Sequence, residues 1–182
     1  MGPISSETYF ELQSSLANRS SNLPLIILEN YGDGRPSSGD YQTASMAIIE
    51  PSNGQGRFKD PLTLVSQVGI KTRGSSTGGR AKSSLSMEMQ DEFGQDKNLS
   101  LIGMPNESDW VLWGPYNFDL TLMHNPFIFE LSRQIGRYAP RTRFVELYMN
   151  TGGGALSTAD YFGVYALMAV SYTHLRAHET ES

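Results

Sequence analysis

The sequence predicts an α+β fold built on a largely antiparallel sheet, and three observations carry that expectation. Apolar runs with strand-like alternation or β-branched residues recur between Leu23 and Met89. A single stretch beginning near Asn125 has helical periodicity instead. Strand-like runs then resume between Phe144 and Met168, so the order is strands, one long helix, and more strands.

Composition bounds the rest. A chain of 182 residues with 38% hydrophobic and 10% aromatic residues can bury a core and is expected to hold one domain. A net charge of −5 with no long basic run argues against a general nucleic-acid binder. No apolar stretch is long enough to cross a bilayer, so no membrane span is expected. The absence of cysteine removes disulfides, thiolate metal sites and a Cys nucleophile together. The opening residues Met1–Glu7 lack the basic start and apolar run of a signal peptide.

Residues 1–22 are rich in Ser and Asn and read as a linker, with one weak helix near Thr8–Leu16. The run Leu23–Leu28, bounded by Asn30-Tyr31-Gly32-Asp33-Gly34, reads as a buried strand, and Ala44–Glu50 as a second. Gln67–Arg73 and Ser83–Met89 both alternate, and the Gly-rich segment between them marks a hairpin. Asp91, Glu92 and Asp96 around Phe93-Gly94 read as an acidic turn. The aromatic-dense stretch Asp109–Tyr116 reads as core packing. Asn125-Pro126 supplies a helix cap and a first-turn proline, Phe127, Ile128, Leu131 and Ile135 form the apolar face, and Gly136 closes the helix. Phe144–Met149 and Phe162–Met168 then form a hairpin around Asn150–Gly154. No internal repeat is visible.

The loop from Arg73 to Lys82 is the strongest candidate for chemistry. Glycines let backbone N–H groups approach an anion closely, and a lysine just beyond can neutralise phosphate charge. Kinase-like folds hold nucleotide phosphates with such a hairpin tip and lysine, and a mid-helix glutamate such as Glu130 can orient the lysine. The string is neither G-x-G-x-x-G nor a P-loop, and on residue pattern alone an ordinary hairpin tip with a solvated Lys82 is the favoured alternative. Glu130 likewise reads on its own as a solvent-facing helix residue. His124 has no Ser or Asp in a triad arrangement around it.

Taken in order, several blocks resemble the CotH kinase family of spore coat proteins. They are Gly69-Ile70-Lys71-Thr72-Arg73-Gly74-Ser75-Ser76, Ala81-Lys82-Ser83-Ser84-Leu85-Ser86-Met87-Glu88, and Leu101-Ile102-Gly103-Met104-Pro105. Ser108-Asp109-Trp110-Val111-Leu112, Gly114-Pro115-Tyr116 and Leu122-Met123-His124-Asn125 follow, then Gly136–Glu146 and Tyr161–Met168. The resemblance spans about residues 22–168 and implies the N-terminal portion of an atypical protein-kinase-like fold, truncated before its catalytic lobe.

It also implies ATP and Mg²⁺ as cofactors, transfer of phosphate to protein Ser or Thr, and a protein substrate for the parent kinase. Nucleotide contacts would fall at Lys82, Gly74, Ser75, Ser76, Gly78, Gly79 and Glu130. The metal-binding and catalytic acids would lie beyond Met168, so this chain alone is expected to be inactive. Two positions depart from the family: His124 stands where it usually has Arg, and Leu120 where it has a basic residue. The competing expectation is a non-catalytic surface or adhesion module, since some members of the family adhere instead of phosphorylating.

The organisation expected from all this is a linker at 1–22, a partial kinase-like domain at 23–168, and a tail at 169–182. The string Ser171–Thr180 resembles the conceptual translation of a sequencing-adapter read-through, common at the ends of metagenomic gene models. The tail is therefore expected to be non-native, and His174 and His178 within it are given no metal role.

Overall fold

A computed structural model describes residues 10–74, 80–114 and 119–170 of the chain. Seven strands carry the fold: β1 (Leu25–Glu29), β2 (Gln42–Ile49), β3 (Leu64–Arg73), β4 (Ser84–Gln90), β5 (Asp109–Trp113), β6 (Thr142–Asn150) and β7 (Tyr161–Ala169). Among the described residues one α-helix, α1 (His124–Gln134), lies between β5 and β6. Strands β1 to β5 pair in succession, β5 pairs with β7, β7 with β6, and β6 returns to β1, closing a barrel.

This corrects the expected protein-kinase-like α+β arrangement, an antiparallel sheet with one long helix. The fold is mainly β, its sheet has no free edge, and α1 is only 11 residues long. The overlooked element is β5, which the sequence reading treated as aromatic packing. It joins β4 through Met87–Trp110 and Leu85–Leu112 and joins β7 through Leu112–Leu167, and without it the barrel cannot close.

An odd number of strands cannot alternate up and down all the way round, so one neighbouring pair must run parallel. That pair is β1–β6, in register from Leu25–Glu146 to Glu29–Asn150. Its position explains why Leu25-Ile26-Ile27-Leu28 is a continuous apolar run. Ile26 and Leu28 face the barrel interior beside Met46, Met87, Trp110, Leu147 and Tyr165. Leu25 and Ile27 face outward beneath a second cluster of Leu16, Ile49, Phe58, Tyr148 and Leu156. A strand covered on both faces needs no alternation.

The segment that supplies Leu16 was expected to be linker. Leu16 is fully buried, Leu12 bridges to Leu156, and Ser20–Ser21 pair with Gly56–Arg57. Residues 14–18 form turns, so the weak helix predicted here is not seen among the described residues. The hairpins at Gln67–Met89 and Phe144–Met168 form as read, with strands extended by a few residues. Strand β7 runs on through Ala169, which pairs with Trp110.

The helix departs from expectation in how it packs. It begins at His124 with Met123 in the capping position and no side-chain cap, so Asn125 lies inside the first turn beside Pro126. The Asp119 carboxylate instead accepts the His124 backbone N–H at 3.0 Å. Gly136 closes the helix at φ +78°, as expected. Yet the apolar face is uncovered: Phe127 is 63% exposed and Ile135 69%, and Pro126 is the only buried residue of α1.

Candidate functional site

Strand direction gathers the functional loops at one end. The C-terminal ends of β1, β3, β5 and β6 and the starts of β2, β4 and β7 all open onto the same mouth of the barrel. The β1–β2 loop, the Gly-rich β3–β4 loop and the β6–β7 loop therefore meet there, a common place for ligands in barrels.

Hydrogen bonds hold these loops in place. Two strings of the form Asn-x-Gly-x-Gly, at 30–34 and 150–154, follow the two parallel strands. Each begins with an Asn whose side-chain amide donates four residues ahead, Asn30 to the Gly34 carbonyl at 2.6 Å and Asn150 to the Gly154 carbonyl at 2.8 Å. Gly34 N–H donates to the Thr151 carbonyl at 3.0 Å, which fastens one loop to the other. On the far side, Thr72 of β3 donates from its hydroxyl to the Pro36 carbonyl at 2.6 Å and from its N–H to the Ser37 carbonyl at 2.7 Å. Arg35, one residue before, is thereby carried to the mouth.

There a cavity of about 180 Å³ is lined by Arg35, Pro36, Thr72, Arg80, Ala81, Ser83, Leu85, Met149, Phe162 and Tyr165. Its lining combines apolar side chains with two guanidinium groups and three hydroxyl-bearing residues, and no lining residue is acidic. The Arg35 guanidinium lies 4.9 Å from the centre of the Phe162 ring. Burial pushes the Tyr165 phenol well up, and Arg35 pulls it part of the way back. The phenol donates to the Ser83 carbonyl at 3.1 Å, which fixes the ring under the start of β4.

Lys82 sits between two cavity-lining residues, half-buried two residues before β4. Its ammonium donates to the Val164 carbonyl at 2.5 Å and lies 4.8 Å from the centre of the Tyr165 ring. Burial lowers its pKa from the ordinary lysine value. Gly74 ends β3 in the left-handed region at φ +104°, where an L side chain would be strained. Ser75, Ser76, Gly78 and Gly79, predicted to cradle phosphate, lie outside the described residues.

Glu130 is not brought to Lys82. It is exposed on α1 and bonded to Arg133 and Gln134 of its own helix. The hydrogen bond from Arg133 holds its carboxyl below the usual range. His124 stands 3.3 Å from the almost fully buried Asp119 carboxylate. Burial works upward on Asp119, but hydrogen bonds from Thr121 and from the His124 backbone outweigh it and bring its pKa down. The segment around Phe93-Gly94 is the acidic turn expected, with the Asp91 carboxylate accepting from the Phe93 and Gln95 N–H groups.

Arg35 and Arg80 escaped the sequence reading. Arg80 lay within the loop but was passed over for the lysine two residues on, and Arg35 lay in a Gly/Ser/Asp stretch with no motif around it. The signal was the repeated Asn-x-Gly-x-Gly, which marks two matching loop corners beside each other.

Among the described residues no helix is long and apolar enough to cross a membrane. No group of three His, Asp or Glu side chains is placed to hold a metal ion among them either. A search among curated proteins finds no match. A family model described as CotH kinase protein matches residues 70–181, which takes in the Gly-rich loop, Lys82, α1 and the hairpin of β6 and β7. With more than half its length inside that match, the chain belongs to the CotH kinase protein family.

Proposed function

We propose that the barrel mouth is the phosphate-binding end of a CotH-like protein kinase domain, whose parent protein transfers phosphate from ATP to protein Ser or Thr. The observation that carries this is the mouth itself. Lys82 stands beside a small cavity rimmed by Arg80 and Arg35, with no carboxylate among the lining residues. Oligophosphate is the cofactor group that such a rim fits, because cations with fixed positions neutralise its charge without rearrangement.

On this reading Lys82 exchanges its bond to the Val164 carbonyl for a phosphate oxygen. The left-handed Gly74 lets the chain turn sharply off β3. Mg²⁺ would supply charge neutralisation in the parent enzyme, but among the described residues no group of acids is placed to hold it.

The separation of Lys82 from Glu130 favours a second reading, a non-catalytic adhesion module on the same fold. ATP titration of the chain distinguishes the two. Lys82→Ala should weaken ATP roughly ten- to hundred-fold, the scale of a lost hydrogen bond to a charged group. Lys97→Ala, exposed at the other end of the barrel, should change nothing. Equal affinities in the two variants would favour adhesion.

A further inference from the structure

The loop that carries Arg35 lies before residue 70, outside the stretch matched by the family model. We infer that Arg35 and Arg80 together form an oxyanion clamp at the barrel mouth, which takes the terminal phosphates of an oligophosphate. This rests on the nucleotide reading above and deepens it by giving the terminal phosphates to two guanidinium groups, one of them on a loop outside the family match.

Three observations bear on the clamp. First, both guanidinium groups line one cavity, yet neither meets a carboxylate among the described residues; the two ion pairs there are His124–Asp119 and Arg133–Glu130. Each guanidinium presents several N–H donors in a planar fork that suits phosphate oxygens. Second, Arg35 is pre-positioned. Its loop is tied to β3 by two bonds from Thr72, fastened to the β6–β7 loop through Gly34, and its guanidinium lies over Phe162. A cation held this way loses less freedom on binding than one on a free loop. Third, the cavity is small. At about 180 Å³ it is below the roughly 300–1,000 Å³ of clefts that enclose a whole drug-sized ligand, so it suits one end of a ligand and leaves the rest outside.

The Lys82 ammonium is engaged by the Val164 carbonyl and the Tyr165 ring, not by the groups assigned to the clamp. The clamp and Lys82 can therefore be tested apart. Inorganic tripolyphosphate, which carries no base or sugar, is titrated calorimetrically into the intact chain and into Arg35→Ala, Arg80→Ala and Arg57→Ala. Arg57 lies on the loop at the opposite end of the barrel, next to Asp60.

Each clamp variant should weaken tripolyphosphate roughly tenfold or more, and Arg57→Ala should match the unmodified chain. Raising the salt concentration should weaken binding to the unmodified chain more than to a variant carrying both Arg35→Ala and Arg80→Ala. Arg35 is exposed, so its variant is expected to fold, and unchanged near-ultraviolet circular dichroism confirms that. Arg35→Lys provides a second variant, which should recover only part of the affinity because an ammonium lacks the fork. No measurable tripolyphosphate binding to the intact chain, or equal losses in Arg35→Ala and Arg57→Ala, would overturn the clamp. If the clamp variants lose tripolyphosphate while Lys82→Ala keeps full ATP affinity, the clamp stands and the role given to Lys82 fails.

Discussion

The ammonium of Lys82 donates to the carbonyl of Val164 at 2.5 Å, joining the segment that leads into β4 to β7 across 82 residues of sequence. The two strands are not neighbours, because β5 pairs with both and lies between them. The lysine therefore reaches across the barrel mouth, and its bond ties the Gly-rich loop to the strand that supplies Phe162 and Tyr165. A lysine so placed is half desolvated and has one bond that a phosphate oxygen can replace.

Lys82→Met should leave stability within about 1 kcal/mol of the unmodified chain, because the apolar stem stays and the cost of burying the charge is removed together with its bond. The same variant should lose ATP affinity as Lys82→Ala does. Urea melts and ATP titrations run in parallel check this. A large stability loss with unchanged ATP affinity would make Lys82 a structural tie.

Gly114 follows β5 and faces the buried ring of Tyr165. A Cβ built there would lie 2.5 Å from Tyr165 Cε1, a distance that real contacts do not reach. Gly114→Ala should therefore cost roughly 1–3 kcal/mol, the usual cost of overpacking a core. Gly152→Ala, where nothing stands within 4 Å, serves as the control in the same urea melts.

Asp109 and Glu88 are directly opposed on β5 and β4. Burial raises the Asp109 pKa, and Glu88, Asp96 and Glu107 raise it further. The folded chain thus holds this proton to a higher pH than the unfolded chain. Stability falls as pH rises between the two values, and the penalty is fully present above the folded one. Asp109→Asn should stabilise the chain at neutral pH by roughly 0.2–1 kcal/mol, the scale of a cross-strand pair. The gain should shrink as pH is lowered through that window, which melts over a pH series would detect.

The apolar face of α1 leads to a prediction about association. Phe127, Ile128, Leu131 and Ile135 are all exposed, and exposed Leu120, Met123 and Tyr138 extend the patch. Contiguous patches of this kind drive soluble chains together. Sedimentation velocity should show the chain self-associating and the Phe127→Glu, Leu131→Glu double variant monomeric. The melting free energy should move by no more than about 0.5 kcal/mol per site, since neither side chain is buried. A monomeric unmodified chain would contradict this.

How much of this was legible follows from what each signal encodes. Alternation at Gln67–Arg73 and Ser83–Met89 reports one covered face, and both strands form where the pattern puts them. The continuous run at Leu25–Leu28 also reads as a strand, but its meaning, coverage on both sides beside a parallel partner, depends on Leu16 and Phe58, which are distant in sequence. Asp109–Trp113 has only five residues, with Trp110, Val111 and Leu112 all buried, so no alternation separates strand from packing. Missing it left the sheet open on paper. The period at Phe127–Ile135 correctly marks an apolar helix face, but periodicity does not say what covers a face, and here the barrel does not. At the site, Lys82 was found because it follows glycines. Arg35 was not, because the bonds from Thr72 that carry its loop to the mouth are tertiary.

The most direct test of the barrel mouth as a phosphate site is a two-dimensional amide NMR titration of the isotope-labelled chain with ATP. The account predicts shifts concentrated at Arg35, Thr72, Arg80, Lys82, Ser83 and Tyr165, with α1 and the loop at 50–63 unmoved. Shifts centred on α1 or on that far loop, or no shifts at millimolar ATP, would contradict it.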